Sequence, residues 1–209
     1  SAELLGHVRL ALGRGGPLAG RRVVVTAGPT QEPVDPVRFL SNHSSGKQGL
    51  ALAQAALDLG AEVTLIAGPI SQDIPVGVEH VPVRTTVEMR DAVLEAVRKA
   101  DVLFKAAAVS DFRPAKAADQ KIKKTKTDDA GLVIPLARNP DILEAVKVQK
   151  DKVGFPLVTV GFAAETQDVV EYGRDKLVRK GLDFIAVNDV SATDAGFAVD
   201  TNRVILLGK

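Results

Sequence analysis

The amino-acid sequence predicts an α/β fold: a Rossmann-like, mostly parallel sheet with helices on both faces, in three αβα layers. Short apolar runs alternate with segments of helical periodicity along nearly all 209 residues, which is typical of right-handed βαβ units. The apolar runs are also nearly continuous, as in strands that are buried on both faces. In sheets of this kind the ligand binds in the crevice beyond the carboxyl ends of the strands.

Composition excludes several classes of function. The 27 basic and 26 acidic residues give a net charge of only +1, so the surface as a whole should attract neither nucleic acid nor acidic lipid. The absence of cysteine excludes disulfides, thiolate metal sites and a cysteine nucleophile. Seven Phe, one Tyr and no Trp disfavour base stacking. No apolar run is long enough to span a bilayer and no signal peptide is visible, so we expect a cytoplasmic protein without a membrane partner.

Two further kinds of enzyme site are disfavoured by the motifs that are missing. His7, His43 and His80 are too scattered to predict a zinc site, and no G-x-S-x-G is present to serve as a nucleophile elbow.

The first twenty residues are expected to be separate from the core. They begin with helical spacing and then break into a glycine-rich run, Gly13-Arg14-Gly15-Gly16-Pro17, which is typical of a linker. We therefore interpret residues 1–20 as a linker from an upstream domain, and residues 21–209 as one domain.

The first predicted strand and helix enclose the most informative stretch of the chain. An apolar strand, Val23–Ala27, is followed by a long polar loop and then by helical periodicity that starts after Ser44, Ser45 and Gly46. Free amides and the helix dipole make such an N-terminus a good site for a phosphate group. An ordinary N-cap explains the same residues, and spacing alone does not decide between the two.

The remaining elements are expected at regular intervals. Thr85 and Glu88 fit a capping box at the start of a helix that is expected to run to Ala100. Asn139 followed by Pro140 fits another helix start, with Asn as the N-cap. Further helix is expected at residues 169–180, and strands at 62–67, 78–83, 101–108, 132–137, 157–163, 183–187 and 203–207. Segment 115–131 has Ile122 as its only large apolar residue before the next strand, so we expect a mobile loop that closes over the substrates.

Several charged residues are candidates for binding an anion or a cation. The basic run in the long loop could clamp a triphosphate or could simply be solvated; it comprises Lys121, Lys123, Lys124 and Lys126. Lys176 and Lys180 lie on one helix face, where an anionic ligand would relieve their repulsion. Solvation is the alternative, because Asp175 and Arg179 pair at i, i+4 in the same helix. Asp111, just past a strand end, could hold a divalent cation or a sugar hydroxyl, or merely cap a turn.

One motif suggests another class of enzyme. Tyr172 and Lys176 form the Y-x-x-x-K of short-chain dehydrogenases. However, Gly28-Pro29-Thr30 does not fit the glycine fingerprint G-x-G-x-x-G that a dinucleotide requires. An NADP-dependent reductase therefore remains an alternative, for which the Y-x-x-x-K motif is present and the glycine fingerprint is missing.

Six motifs in order, spread from about Gly20 to Lys209, resemble bacterial phosphopantothenoylcysteine synthetase. They are Ala27–Arg38 (AGPTQEPVDPVR), Ser41–Lys47 (SNHSSGK), Ala106–Phe112 (AAAVSDF), Lys121–Lys124 (KIKK), Asn139–Ile142 (NPDI) and Gly161–Thr166 (GFAAET). In bacteria this synthetase is usually the C-terminal half of a bifunctional coenzyme A biosynthesis protein. The resemblance thus implies fusion to a flavin-dependent phosphopantothenoylcysteine decarboxylase, with residues 21–209 as the synthetase domain.

The resemblance also implies a reaction and a site. 4′-Phosphopantothenate reacts with CTP and Mg²⁺ to give an acyl-cytidylate, which cysteine converts to 4′-phosphopantothenoylcysteine, in an enzyme that is a homodimer. The positions that match the family's motifs imply two catalytic residues. Asn42 would hold the acyl-cytidylate, and Lys121 would stabilise the triphosphate. The other nucleotide-contacting positions would be Asp111, Ala137, Arg138, Asn139, Pro140, Phe162, Lys176 and Lys180.

Two departures from the family pattern stand out. Lys105 lies in a strand that is apolar in the family, and a buried unpaired ammonium would be costly. The chain also ends at Lys209, where relatives continue. A non-catalytic nucleotide-binding module is the main alternative function, and the residues do not by themselves favour CTP over ATP.

Overall fold

A computed structural model describes residues 1–123, 132–165, 168–189 and 204–209. Five α-helices lie in these ranges: α1 (Ala2–Gly13), α2 (Lys47–Asp58), α3 (Thr86–Ala96), α4 (Ile142–Val153) and α5 (Val169–Lys180). The strands are β1 (Arg22–Ala27), β2 (Gln31–Asp35), β3 (Arg38–Ser41), β4 (Glu62–Ala67), β5 (Glu79–Pro82), β6 (Val102–Lys105), β7 (Phe112–Pro114), β8 (Leu136–Arg138), β9 (Val158–Glu165), β10 (Phe184–Asp189) and β11 (Val204–Gly208).

Seven strands form one central sheet in the order β11-β10-β9-β6-β1-β4-β5. All neighbouring pairs are parallel except β10 and β11, which are antiparallel. The predicted mostly parallel α/β sheet is therefore confirmed. Strand β6 lies in the middle of the sheet, between β1 and β9, so the residues that follow it reach the centre of the carboxyl edge.

The alternation of side chains in β1 divides the core between the two faces. Val23 and Val25 pack with Leu50 and Leu57 of α2 on one face. Val24 packs on the opposite face, in a cluster that includes Val93 of α3 and Val146 of α4. A third cluster joins α4 and α5 to β9 and β10. Complete burial of a side chain such as Leu65 or Leu103 contributes about 1.5–3 kcal/mol, so both helical layers are firmly held to the sheet.

Two short hairpins lie outside the central sheet, and the sequence did not predict them as such. The polar stretch after β1, expected to be a loop, forms the antiparallel pair β2–β3, and β7 pairs with β8. Their strands are only three to five residues long and lack an alternating apolar pattern. They are held by side-chain hydrogen bonds to distant segments, which periodicity cannot reveal.

Several predicted boundaries need correction. Strand β6 ends at Lys105 instead of residue 108, β5 is shorter than expected, and β8 covers 136–138 where 132–137 was predicted. The helix expected to run to residue 100 ends at Ala96 and continues as a 3₁₀ turn, Val97–Lys99. The capping box of Thr85 and Glu88 is confirmed. The predicted N-cap Asn139 is wrong, because Asp141 caps α4 by accepting a hydrogen bond from the Glu144 amide.

The N-terminal segment packs on the core. Helix α1 lies against α2, its Arg9 pairs with Asp58, and Leu10 and Leu18 contact the core cluster around β1. The role of residues 1–20 as an interdomain linker stays a prediction. Among the described residues, none of the helices is long and apolar enough to cross a membrane.

Candidate functional site

The carboxyl ends of β1 and β6 meet the N-terminus of α2 and the two hairpins at one edge of the sheet. The backbone of the loop after β1 closely approaches the backbone at the N-terminus of α2. A Cβ on Gly46 would lie 3.3 Å from the Gly28 amide nitrogen and 2.6 Å from Ile70 Cγ2. Both glycines also have positive φ angles, 72° for Gly28 and 79° for Gly46, which disfavour side chains. The loop after β1 can therefore lie directly against the helix N-terminus only because both positions are glycine.

Asn42 lies at this edge and is held by the loop that follows β6. Its amide Nδ2 donates to the Val109 carbonyl at 3.0 Å. The preceding residue is also fixed, because Ser41 Oγ donates to the Thr30 carbonyl at 2.8 Å. Asn42 is exposed, so its carbonyl oxygen and second amide hydrogen are available to a ligand.

A buried polar network joins hairpin β2–β3 to helix α3 and to Asn139. Glu32 Oε1 accepts from the Thr86 amide at 2.9 Å and from the Thr86 hydroxyl at 2.7 Å. The same hydroxyl accepts from Asn139 Nδ2 at 3.1 Å and lies 3.1 Å from Thr30 Oγ1. Thr30 Oγ1 in turn accepts from the Ser110 amide at 3.0 Å. Since Thr86 donates to the carboxylate, Thr30 must be the donor between the two hydroxyls.

Asn139 lies at the centre of these contacts, which is why it does not cap α4. Its Nδ2 also donates to the Ser110 carbonyl at 2.8 Å, and its Oδ1 accepts from Arg113 Nη1 at 3.0 Å. Its backbone amide donates to the Asp111 carbonyl at 2.8 Å. Asn139 and Asp111, both predicted to contact the nucleotide, are therefore neighbours, and the side chain of Asp111 is exposed.

Lys180 approaches this group from α5. Its Nζ donates to the carboxylate of Asp141, the residue that caps α4 just after Pro140. Burial opposes ionisation of Asp141, but the hydrogen bond from Lys180 and the amide of Glu144 hold the pKa of its carboxyl below its ordinary value. The expected repulsion between Lys176 and Lys180 is thus moderated by a carboxylate on another helix, which the sequence did not indicate. The predicted pairing of Asp175 with Arg179 is present, with 3.6 Å between Oδ2 and Nε.

Lys105 ends β6 on the same face of the sheet as these groups. Its side chain is half-buried, and its Nζ donates to the Ala107 carbonyl at 3.0 Å. Burial, and to a smaller extent the charge of Lys176, lower its pKa to about 8 against the opposing effects of Asp141 and Asp111. The departure noted in the sequence thus places a cation beside predicted site residues.

Lys121 is carried by a segment that is bound to hairpin β2–β3. The carboxylate of Asp35 accepts from the Ile122 amide at 3.1 Å, and Arg38 Nη2 donates to the Ile122 carbonyl at 2.8 Å. The Ala118 amide donates to the Val34 carbonyl at 2.9 Å. Residues 115–123 contain no helix or strand, as expected of a loop, and these hydrogen bonds fix part of it to the hairpin. That the loop is mobile and closes over the substrates stays a prediction. Lys124 and Lys126 lie outside the described residues.

Asp35 is the buried carboxylate on which this anchor depends. Its side chain is fully buried against Arg38. Desolvation by burial would raise the pKa of this carboxyl, but hydrogen bonds from Arg38 and from the amides of Val37 and Ile122 outweigh it and hold the pKa well below its ordinary value.

The N-terminus of α2 has no side-chain cap. Gly46 is the N-cap residue and has no side chain to cap the helix. The neighbouring hydroxyls accept local hydrogen bonds instead, Ser44 Oγ from the Gly46 amide at 3.3 Å and Ser45 Oγ from the Lys47 amide at 3.5 Å. The phosphate-binding role of Ser44, Ser45 and Gly46 stays a prediction.

The structure brings some predicted residues together and leaves others apart. Asn139, Pro140, Asp111 and Lys180 form one group through the contacts above, and Asn42 adjoins it through Val109. Lys176 is close enough for its charge to affect Lys105. Ala137 and Arg138 pair with Arg113 and Phe112 in the β7–β8 hairpin next to this group. Phe162, half-buried in β9, follows the residue that pairs with Lys105. Lys121 takes part in none of the contacts described above, and Thr166 lies outside the described residues.

A metal site built from protein ligands alone is not found. In the part of the chain that the structure describes, no group of three or more His, Asp or Glu side chains could hold an ion. Mg²⁺ commonly binds through one or two carboxylates together with the phosphates of its substrate. The exposed carboxylate of Asp111 fits that second arrangement, and its metal role stays a prediction.

Sequence reasoning missed Glu32, Thr86 and Asp141 as parts of the site. The capping box at Thr85 placed Thr86 in the first turn of a helix. Because the N-terminus of a helix stabilises negative charge, this position could have indicated a carboxylate such as Glu32 nearby. Glu32 lies in a polar stretch without periodicity, so no sequence signal pointed to its burial. Lys105 was visible in the sequence as a polar residue in an apolar strand.

Comparisons with known proteins identify similar chains. The sequence profile of the DNA/pantothenate metabolism flavoprotein C-terminal domain matches residues 18–209. The coenzyme A biosynthesis bifunctional protein CoaBC of Vibrio cholerae serotype O1 is 49% identical over 192 residues, which are 92% of this chain and 47% of that protein. The chain thus spans about half the length of the curated relatives it matches.

Solved structures agree with the fold. The crystal structure of the C-terminal domain of CoaBC is 39% identical, with a TM-score of 0.71 over 91% of this chain and 87% of that one. A variant of Cab2 in complex with phosphopantothenate-cysteine has a TM-score of 0.73 at 18% identity, over 99% of this chain and 81% of that one. At this level of identity the second likeness shows the fold alone.

Proposed function

We propose that this chain, which belongs to the family of DNA/pantothenate metabolism flavoprotein C-terminal domains, is a phosphopantothenate–cysteine ligase that uses CTP. The relatives that match it are bifunctional proteins of coenzyme A biosynthesis, and Cab2, which shares its fold, binds phosphopantothenate-cysteine. The observation that carries the proposal is the convergence of Asn42, Asp111, Asn139 and Lys180 at one carboxyl edge of the sheet.

The proposed reaction has two steps. In the first, a carboxylate oxygen of 4′-phosphopantothenate attacks the α-phosphorus of CTP, a P–O bond forms, and the bond to pyrophosphate breaks. In the second, the amine of cysteine attacks the acyl carbonyl, an amide forms, CMP leaves, and the amine loses a proton. Neither step needs a nucleophile from the protein, which agrees with a chain without cysteine.

Catalysis would then depend on positioning and on charge. Asn42 is held from one side by Val109, so its remaining amide hydrogen can orient the acyl group. Asn139 is held at both ends of its side chain by Arg113, Ser110 and Thr86. It would fix the backbone around the nucleotide without donating a side-chain group to it. The charge of Lys121 would stabilise the leaving pyrophosphate.

Asp111 would hold Mg²⁺ together with the phosphates of the nucleotide. The bound ion would neutralise charge on those phosphates. The chain's own lysines, Lys121, Lys176 and Lys180, would contribute to the same neutralisation from two sides of the crevice.

We also propose that the ligase is a homodimer and acts in the cytoplasm, fused to a flavin-dependent decarboxylase. The two hairpins next to the site expose Phe39, Phe112 and Leu136, which are 45%, 46% and 51% accessible. Exposed apolar side chains near one another support association through this face. Light scattering of the wild type and of Phe39→Ser/Phe112→Ser tests this, with a monomeric double variant as the expected result.

Pyrophosphate release tests the ligase directly. The protein is mixed with 4′-phosphopantothenate, cysteine and Mg²⁺, and with either CTP or ATP. We expect release with CTP that requires 4′-phosphopantothenate. Release with ATP but not with CTP would mean that the ligase uses ATP as its nucleotide. Binding of CTP without release would favour a non-catalytic module, and binding of NADPH in place of CTP would favour a reductase.

A further inference from the structure

Lys105 occupies the centre of the carboxyl edge. It is the last residue of β6, and it pairs in register with Thr26 of β1 on one side and with Gly161 of β9 on the other. Neither neighbour carries a titratable side chain. The strand before it is apolar, Val102-Leu103-Phe104, with Leu103 fully buried. The side chain of Lys105 therefore lies between the apolar part of the sheet, which precedes it in β6, and the candidate site at the carboxyl edge.

Among the described residues, the ammonium of Lys105 has few partners. It donates to the Ala107 carbonyl at 3.0 Å, although an ammonium can donate three hydrogen bonds. Within the described ranges, no carboxylate lies within ion-pair distance of it. Asp141, whose negative charge attracts it, is already in direct contact with Lys180. A lysine with a purely structural role would be expected to have a carboxylate partner at this depth.

Charged groups face Lys105 from three elements. Asp111 in the turn after β6, Asp141 at the start of α4 and Lys176 in α5 each lie close enough for their charge to affect the pKa of Lys105. The family resemblance places Asp111 and Lys176 at the nucleotide. The free donors of Lys105 thus lie among groups that are expected to surround the same ligand.

We infer that Lys105 is a further anion-binding residue of this site, whose ammonium donates to an oxygen of the bound nucleotide. The inference rests on the proposed function for the identity of the ligand. It explains why a half-buried lysine is present in a strand whose other residues are apolar.

The ionisation of Lys105 adds a consequence that can be measured. Burial and Lys176 lower its pKa to about 8, so part of the free protein is uncharged there above neutral pH. An anion beside the amine favours the charged form and raises the pKa again. Nucleotide binding should therefore take up a proton near pH 8.5–9. The affinity should fall as the pH rises above about 8, by up to tenfold per pH unit.

Calorimetric titration of the whole chain with CTP and Mg²⁺ tests the inference. Each titration is made at pH 7.0 and 8.8 in two buffers of different ionisation enthalpy, which gives the number of protons taken up. The variants are Lys105→Met and Lys105→Arg, with Lys99→Gln as the control, because Lys99 is exposed at the opposite end of β6.

For the wild type and the control we expect proton uptake at pH 8.8 and little at pH 7.0. Lys105→Met should bind about 10- to 100-fold more weakly at pH 7.0, as expected for loss of a charge-assisted hydrogen bond. It should also show no uptake at pH 8.8. Lys105→Arg should keep much of the affinity at pH 7.0 without uptake, since a guanidinium stays charged.

The outcomes separate the two proposals. Wild-type affinity and undiminished proton uptake in a folded Lys105→Met variant would overturn the role of Lys105 and leave the ligase untouched. Absence of CTP binding by the wild type would instead contradict the proposed function, and the role of Lys105 at that site with it.

Discussion

The carboxylate of Glu32 accepts two hydrogen bonds from Thr86, one from the amide at 2.9 Å and one from the hydroxyl at 2.7 Å. Glu32 is only 1% exposed and lies at the N-terminus of α3, where the helix dipole stabilises a negative charge. The Thr86 hydroxyl that donates to this carboxylate also accepts a hydrogen bond from Asn139 Nδ2, so Glu32 helps to orient Asn139. Hairpin β2–β3, helix α3 and the segment before α4 therefore share one buried polar connection.

Removal of the Glu32 carboxylate should destabilise the fold. Glu32→Ala leaves the buried amide of Thr86 without an acceptor, so we expect a loss of about 2–4 kcal/mol in the free energy of unfolding. Glu32→Gln keeps an acceptor oxygen but loses the charge at the helix end, and should cost about 1 kcal/mol. Urea unfolding measures both, with the exposed Glu95→Gln as the control. Equal stability of Glu32→Ala and Glu95→Gln would contradict the importance of this connection.

Asp35 should make the stability of the chain sensitive to acid. Its pKa is lower in the folded protein than its ordinary value of 3.8, so ionisation of Asp35 stabilises the folded state. That stabilisation is complete above about pH 5 and is lost as the pH falls through about 4 and below. The stability difference between wild type and Asp35→Asn should therefore shrink between pH 5 and pH 3. A difference that stays constant over this range would contradict the assignment, and Asp175→Asn, at an exposed carboxylate, serves as the control.

The contact between Lys180 and Asp141 should be measurable as a coupling energy. The two side chains are 17% and 37% accessible, and Asp141 is also the cap of α4. In a double-mutant cycle with Lys180→Met and Asp141→Asn we expect about 0.5–1 kcal/mol. The Asp175–Arg179 pair provides a matched control, since its side chains are 70% and 62% accessible. Its coupling should be about 0.3 kcal/mol, and an equal value for both pairs would mean that Lys180 does not hold α4.

Lys105 should lower stability in the free protein. Its pKa is about 8 in the folded state and 10.5 ordinarily, so the unfolded chain binds more protons between these values. Wild-type stability relative to Lys105→Met should therefore rise with pH across this window, by up to roughly 1.4 kcal/mol per pH unit. Below about pH 8 the variant should be the more stable protein. Thermal unfolding at pH 7 and pH 9.5 measures this, and a variant that is less stable at pH 7 would show that the lysine has a structural role.

The sequence predicted the parts of the fold that depend on apolar periodicity. The central strands and helix α5 follow from buried apolar residues at regular spacing, as in β1 and β4. Hairpins β2–β3 and β7–β8 could not be predicted in this way. Their short strands mix polar and apolar residues without a regular period. They are fixed by partners that are distant in the chain, such as Ile122 for Arg38, 84 positions away.

For the site, the sequence supplied candidate positions, whose roles stay predictions, but not the contacts between them. Asn139 was recognised from a motif, but its local sequence suggested a helix cap, because the competing partners Thr86 and Ser110 are distant in the chain. Lys180 was recognised by its spacing from Lys176, while its partner Asp141 lies 39 residues earlier. Such contacts depend on how β6, β9 and the helices are placed by the whole sheet.

Formation of the acyl-cytidylate tests the central claim most directly. Wild type, Asn42→Asp and Lys121→Gln are each mixed with CTP, Mg²⁺ and 4′-phosphopantothenate, with and without cysteine, and the products are separated by mass spectrometry. Asn42→Asp replaces an amide donor with a negative acceptor at nearly constant size, so it should form the acyl-cytidylate but fail to pass it to cysteine. Lys121→Gln removes charge from the leaving pyrophosphate, so it should form none. If neither the wild type nor Asn42→Asp yields an acyl-cytidylate, a ligase that works through this intermediate is contradicted.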